Sequence, residues 1–208
     1  MKNFIKKNKK MLFLVSALVI FLGGSAIFQV VVNQLKPFEE VPVVNVEKRK
    51  EKKVEEHKEV LCKPVANQIQ IAREYYDSHL KEERLEKALI YFEGVYRPHY
   101  GLDYQNNGEA FDVMAATSGT VIKKENDALL GWTLSILNDS GITTTYQSVD
   151  SIKVEKGDKI KQGQVIARSG ENVYESDLKS HLHFVLSKDN KVLNPQQFFN
   201  QEITKIKA

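Results

Sequence analysis

Three of the chain's five histidines fall in two short clusters. The first runs Arg97-Pro98-His99-Tyr100-Gly101-Leu102-Asp103, the second Ser180-His181-Leu182-His183-Phe184. Strand side chains alternate between faces, so His181, His183 and Val185 would share one face, while Leu182, Phe184 and Leu186 pack into a core. Two neutral imidazoles side by side pack poorly but make a good corner for a metal ion. His99 and Asp103 are four apart, and Pro98 and Gly101 place them on a loop or bent strand rather than a helix. That nitrogen and carboxylate, with one imidazole of the second cluster, could complete a tetrahedral zinc site. Three protein ligands leave the fourth position for water, which is the catalytic arrangement. The plain alternative makes His99 a surface histidine and Asp103 a turn former. Each cluster alone is weak; the two together, in this order, favour the metal.

The elements that must position these residues read as mostly β. Ala88 to Tyr96 is rich in aromatic and branched residues and predicts a strand. Gly119 to Lys123 predicts a short strand, and Trp132, Leu134 and Ile136 alternate with polar residues as in a half-buried one. Ile142 to Val149 predicts another, with Ile142, Thr144, Tyr146 and Ser148 on one face. Turns follow at Gly157-Asp158 and Gln162-Gly163, then strands at Val165 to Arg168 and His181 to Ser187. Ile69 to Tyr76 reads as a strand or short helix, and His79, after Ser78, as an exposed residue of a polar turn. Short strands, glycine turns and no long amphipathic helix predict an antiparallel sheet, sandwich or small barrel.

The 208 residues allow one globular domain plus accessories. Of the 30 basic residues, five (Lys2, Lys6, Lys7, Lys9, Lys10) lie in the first ten, leaving the rest of the chain with two more acids than bases. The basic excess therefore belongs to the tip, residues 1–10, and gives no case for a nucleic-acid groove. Met11 to Val32 carries no charge over 22 residues. As a helix it would be about 33 Å long, enough to cross a hydrocarbon core, and the lysines before it predict a cytoplasmic amino terminus. Gly23-Gly24-Ser25-Ala26 offers a cleavage site, but the apolar run continues to Val32, which favours a retained anchor. Residues 33–63 form a charged linker. It holds His57, read as solvated, and reaches at most on the order of 100 Å if extended. Residues 64–208 form the extracytoplasmic domain, with its core at 88–199. Cys62 is the only cysteine, which excludes an internal disulfide and a cysteine-based zinc knuckle.

These residues resemble the lysostaphin-type zinc metallopeptidases (LytM-like domains). That family carries a His-x-Gly-x-Asp style motif, here His99 to Asp103, and closes its core with His-x-His, here His181-Leu182-His183. A glycine-turn strand pair lies between them, here Gly157 to Ile166, and Asn194-Pro195 suits the closing turn. The resemblance implies an antiparallel sheet or sandwich of that peptidase fold, with one zinc ion held by His99, Asp103 and His183. His181 would assist catalysis or orient substrate. It also implies a further catalytic histidine in a Tyr-x-His-Leu segment, where this chain has Tyr146-Gln147-Ser148-Val149. Ser148 thus stands where histidine is expected. A serine hydroxyl donates a hydrogen bond but does not titrate near neutrality, and losing such a group costs a factor of about 10² to 10⁴. Weak hydrolysis and none are both compatible with this set.

The whole-chain layout also resembles the peptidase-like membrane proteins of endospore-forming bacteria, including Lys63-Pro64-Val65 at the domain entry and Ala88-Leu89-Ile90-Tyr91 before the first motif. That resemblance implies a forespore membrane location facing the intermembrane space. It also implies a mother-cell membrane partner of the stage III sporulation protein AH kind, in a channel or adhesion complex. Three functions follow as expectations: a zinc-binding, partner-binding scaffold; an active peptidoglycan endopeptidase; and a membrane adaptor, since Gly157 to Ile166 is similar to a lipoyl-type hairpin. The adaptor reading lacks a heptad-patterned helical hairpin and leaves both histidine clusters unexplained.

Overall fold

The structure, a computed structural model, describes residues 58–208. The basic tip, the apolar segment 11–32 and the linker through His57 lie outside the described residues. Among the described residues, no helix is long and apolar enough to cross a membrane.

Among the described residues twelve short strands carry the fold: β1 (Gln70–Arg73), β2 (Leu89–Phe92), β3 (Val95–Pro98), β4 (Leu102–Gln105), β5 (Asp112–Met114), β6 (Gly119–Asp127), β7 (Gly131–Leu137), β8 (Ile142–Asp150), β9 (Lys159–Ile160), β10 (Val165–Ser169), β11 (His181–Lys188) and β12 (Lys191–Leu193). A short helix, α1 (Glu82–Lys87), has no buried residue and no side-chain cap. The main sheet runs β1-β4-β11-β8-β7-β6-β9; β10 pairs with β5 and β8, and β12 with β11. Every one of these pairings is antiparallel. The mostly β, antiparallel expectation therefore holds.

Sequence periodicity explains which face is buried. Leu182, Phe184 and Leu186 are fully buried beside Tyr146, Leu134 and Ile136, and each side chain of this size contributes roughly 1.5–3 kcal/mol on burial. Leu61 and Val65, well before the first motif, pack into the same core. The stretch expected as one strand before the first motif is a two-stranded sheet, β2 against β3, because Glu93 and Gly94 both adopt positive φ and turn the chain back. β6 continues four residues beyond Lys123. Its outer half, Lys124 to Asp127, pairs with β7 while its residues are mostly exposed, so no apolar alternation marks it.

Alternation in β8 holds for Ile142, Thr144 and Tyr146, all fully buried, and then breaks at Ser148. Ser148 has φ +57, and Val149 beside it is buried as well. Here β8 leaves β11, with which it pairs as far as Gln147, and takes up β10 from Val149. The left-handed residue turns Ser148 away from the core-facing row in which simple period-two counting puts it.

Candidate metal centre

The antiparallel register sets up the site. Asp103 on β4 lies opposite Arg73 on β1 and opposite His183 on β11, and His183 lies opposite Gln147 on β8. Arg73, Asp103 and His183 therefore form a row across three adjacent strands, on the face away from the core. His99 follows β3 directly. Its carbonyl accepts from the Tyr76 N–H and its own N–H donates to the Ala88 carbonyl.

Three donor atoms meet here. His183 Nδ1 is 2.8 Å from Asp103 Oδ1 and 3.0 Å from His99 Nε2, and His99 Nε2 is 3.1 Å from Asp103 Oδ1. Zinc–ligand bonds of about 2.0–2.2 Å put the donors of a tetrahedral site roughly 3.3–3.6 Å apart, so this triangle is close to the required size. His99 Nδ1 faces the Glu74 carbonyl at 2.7 Å. A ring that donates there presents an unprotonated Nε2 to the triangle, the usual support for a metal-bound imidazole. Gly101 is required for close approach: a Cβ there would sit 2.8 Å from His183 Cε1 and Nε2 and 2.9 Å from the Phe184 carbonyl. The residues present fit a divalent ion.

The face of the sheet that carries these imidazoles is covered rather than open to solvent. His99, Asp103 and His181 are fully buried and His183 is 8 % exposed. The cover includes the segment between β10 and β11, which delivers Glu175, itself 1 % exposed. Glu175 Oε1 is 3.5 Å from His183 Nδ1 and 3.8 Å from His99 Nε2, and Oε2 is 3.4 Å from His181 Nε2. His99, Asp103, Glu175 and His183 together offer four donor atoms within 4.8 Å of one another. Sequence reading named three of these and missed Glu175, which sits in no spaced motif. It also missed Arg73, whose Nη1 donates to Asp103 Oδ2 at 3.0 Å and to Glu175 Oε1 at 3.3 Å, while Nη2 donates to Asp177 at 2.8 Å.

Electrostatics follow from this packing. Burial alone would lower the His183 pKa, but hydrogen bonds and charge from Asp103 and Glu175 outweigh it and push the ring up to about 10. The His181 ring is likewise raised against the effect of burial, chiefly by Glu175. Burial would raise Asp103 and Glu175, yet the surrounding imidazoles hold both carboxyls below their ordinary range. His181 Nδ1 donates to the Lys179 carbonyl at 2.7 Å. Both its nitrogens are therefore engaged. Ser148 Oγ donates to the Gly170 carbonyl at 3.1 Å and stands 3.5 Å from His181 Nδ1, too far for a strong bond. The arrangement can hold a cation, and both His181 nitrogens already have partners. His79, by contrast, is an exposed residue bonded to Asp77.

Comparison with known proteins fits this geometry. Residues 97–195 match the family described as peptidase family M23. Stage II sporulation protein Q of Bacillus subtilis (strain 168) is 37% identical over 139 residues, which is 66% of this chain and 49% of that protein. The match thus spans about half of that relative's length. A solved structure described as the SpoIIQ-SpoIIIAH pore forming complex superposes with a TM-score of 0.69 at 34% identity, covering 73% of this chain and 99% of that chain. A zinc containing peptidase from Vibrio cholerae superposes with a TM-score of 0.52 at 26% identity, covering 66% of this chain and 39% of that one.

Proposed function

The chain belongs to the stage II sporulation protein Q family, with a peptidase family M23 domain, and from that premise we propose that it is a membrane-anchored sporulation protein. Its peptidase-like domain binds zinc and a partner protein across the intermembrane space and does not hydrolyse peptidoglycan. Residues 11–32 anchor it in the forespore membrane with the basic tip in the cytoplasm. The partner is a mother-cell membrane protein similar to SpoIIIAH, the protein that accompanies SpoIIQ in the solved pore forming complex.

One observation carries the non-hydrolytic reading. The position expected to hold a catalytic imidazole is Ser148, and the imidazole that is retained, His181, has both nitrogens committed, to Lys179 and Glu175. Zinc, when bound, would supply Lewis acidity. His99, Asp103 and His183 would hold it, His99 with Nδ1 turned to the Glu74 carbonyl. Proton transfer would still need a base, and among the described residues the retained imidazole, His181, is paired on both nitrogens.

A second reading, an active zinc endopeptidase cutting peptidoglycan cross-links, draws on the convergence of those three donors. One preparation tests both. The purified chain is expected to bind the ectodomain of the SpoIIIAH-like protein from the same organism and to release no muropeptides from peptidoglycan. Muropeptide release that His99→Ala abolishes would replace the proposal with the second reading. Absence of binding to the partner ectodomain would remove the scaffold role.

A further inference from the structure

Peptidases that use zinc keep one coordination position for water, whereas structural zinc sites are closed by a fourth protein ligand. In this chain the space beside the His99–Asp103–His183 triangle is filled by a carboxylate. We infer that Glu175 is the fourth protein ligand of the metal, converting an open peptidase centre into a closed structural one. The inference rests on the reading that this site takes zinc and goes beyond it by assigning the last coordination position.

Geometry supports it first. Three edges of the donor set are 2.8, 3.0 and 3.1 Å, and Glu175 Oε1 adds edges of 3.5 Å to His183 and 3.8 Å to His99. The ideal tetrahedral edge of roughly 3.3–3.6 Å lies within this spread. The four donor atoms lie within 4.8 Å of one another, so Oε1 closes in by on the order of an ångström to become the fourth vertex.

Placement of the loop supports it second. Glu175 is not a mobile surface acid that happens to approach. Its N–H donates to Asn172 Oδ1 at 2.6 Å, and Asn172 Nδ2 donates back to Glu175 Oε2 at 3.2 Å. The same segment is tied to the Leu129 carbonyl by the N–H groups of Val173 and Tyr174, and the Tyr174 ring packs on Phe92 with centroids 5.1 Å apart. Arg73 touches the far oxygen of Asp103 and Oε1 of Glu175. It orients both carboxylates as an outer partner, as metal-bound carboxylates commonly require.

Charge supports it third. Asp103 and Glu175 together carry the two negative charges that compensate a divalent cation. Two neutral imidazoles and two carboxylates would hold that cation without any exchangeable water.

Cobalt(II), loaded into the purified full chain in place of zinc, gives a readout that does not depend on activity. Closed four-ligand coordination predicts a visible spectrum that added azide leaves unchanged. Glu175→Ala is expected to bind cobalt at least about tenfold more weakly and to gain an azide-dependent spectral shift. Glu175→Gln, which keeps the side-chain shape, guards against misfolding and is expected to lose affinity in the same way. A wild-type spectrum that azide shifts, or unchanged affinity in both variants, would overturn the closure while leaving metal binding intact. Failure of the wild type to bind cobalt or zinc at all would overturn the metal site itself, and the closure with it.

Discussion

His181 Nε2 lies 3.4 Å from Glu175 Oε2, so the retained imidazole of the second cluster is paired with a buried carboxylate. In a hydrolase of this type an imidazole must accept and return a proton within one turnover. Against the lowering effect of burial, Glu175 raises the His181 pKa and so favours the charged ring. On the proposed reading two changes bear on the same step: Ser148 stands where one imidazole is expected, and Glu175 pairs with the other.

Replacing Ser148 with histidine alone is accordingly expected to yield no muropeptide release above background. The backbone tolerates the change in principle, since histidine is among the residues that enter the left-handed region more readily. Adding Glu175→Ala frees His181, and the double variant is expected to give measurable release under the same assay. Release by Ser148→His alone would mean that His181 is available as it stands.

The convergence of His99, Asp103 and His183 was legible in the sequence, and the approach of Glu175 and Arg73 was not. His181 and His183 could be placed by period-two alternation against Leu182, Phe184 and Leu186, and the bend at His99 by Pro98 and Gly101, because both signals are local. Arg73 and Glu175 are 102 residues apart; one comes from the end of a four-residue strand and the other from a loop. Only the pairing of β1 with β4 and the folding back of the segment before β11 bring them together. Ser148 shows the same limit: its residue type was informative, but its left-handed backbone arises from the handover of β8 between two partner strands.

Gly101 makes a prediction about packing. Alanine there would place Cβ 2.8 Å from the His183 ring and 2.9 Å from the Phe184 carbonyl, and the carbonyl belongs to a ladder that cannot yield cheaply. Gly101→Ala is expected to cost about 1–3 kcal/mol, as overpacking does. For a domain of this size that is a melting shift of several degrees, at roughly 2–4 °C per kcal/mol. It is also expected to weaken zinc binding, read by chelator competition, because the ring must rotate. Unchanged melting and unchanged zinc affinity would show that the ring relaxes freely.

Arg73 Nη1 reaches both buried carboxylates, Asp103 at 3.0 Å and Glu175 at 3.3 Å. Removing one partner of a buried ion pair commonly costs about 3–5 kcal/mol, because the other charge is left uncompensated. Arg73→Ala is expected to lower the melting temperature of metal-free protein strongly. With saturating zinc the loss should shrink, since the divalent cation takes over the compensation. Thermal scans of wild type and variant, each with chelator and with zinc, check this. An equal loss in both conditions would mean that zinc and Arg73 do not share these carboxylates.

Tyr146 supplies a pH dependence outside the metal centre. Its ring is fully buried against Phe184, and its hydroxyl accepts from the Ala116 N–H at 2.8 Å and donates to Thr144 at 3.1 Å. Burial pushes the phenol up to about 12, although the two hydrogen bonds pull the other way. In the unfolded chain the phenol titrates near 10, so between pH ~10 and ~12 the unfolded state releases a proton that the folded state keeps. The sign follows: this contribution to stability is complete below pH ~10 and is lost as pH rises toward 12. Tyr146→Phe removes one titrating proton and leaves the Ala116 N–H without its partner, which costs about 1–3 kcal/mol at pH 7. The stability gap between wild type and Tyr146→Phe should then narrow above pH 10, by about 1.4 kcal/mol per pH unit. Urea unfolding at pH 7, 10, 11 and 11.5 measures it, and a gap that stays constant across the series would show that the Tyr146 phenol ionises as readily in the folded protein as in the unfolded chain.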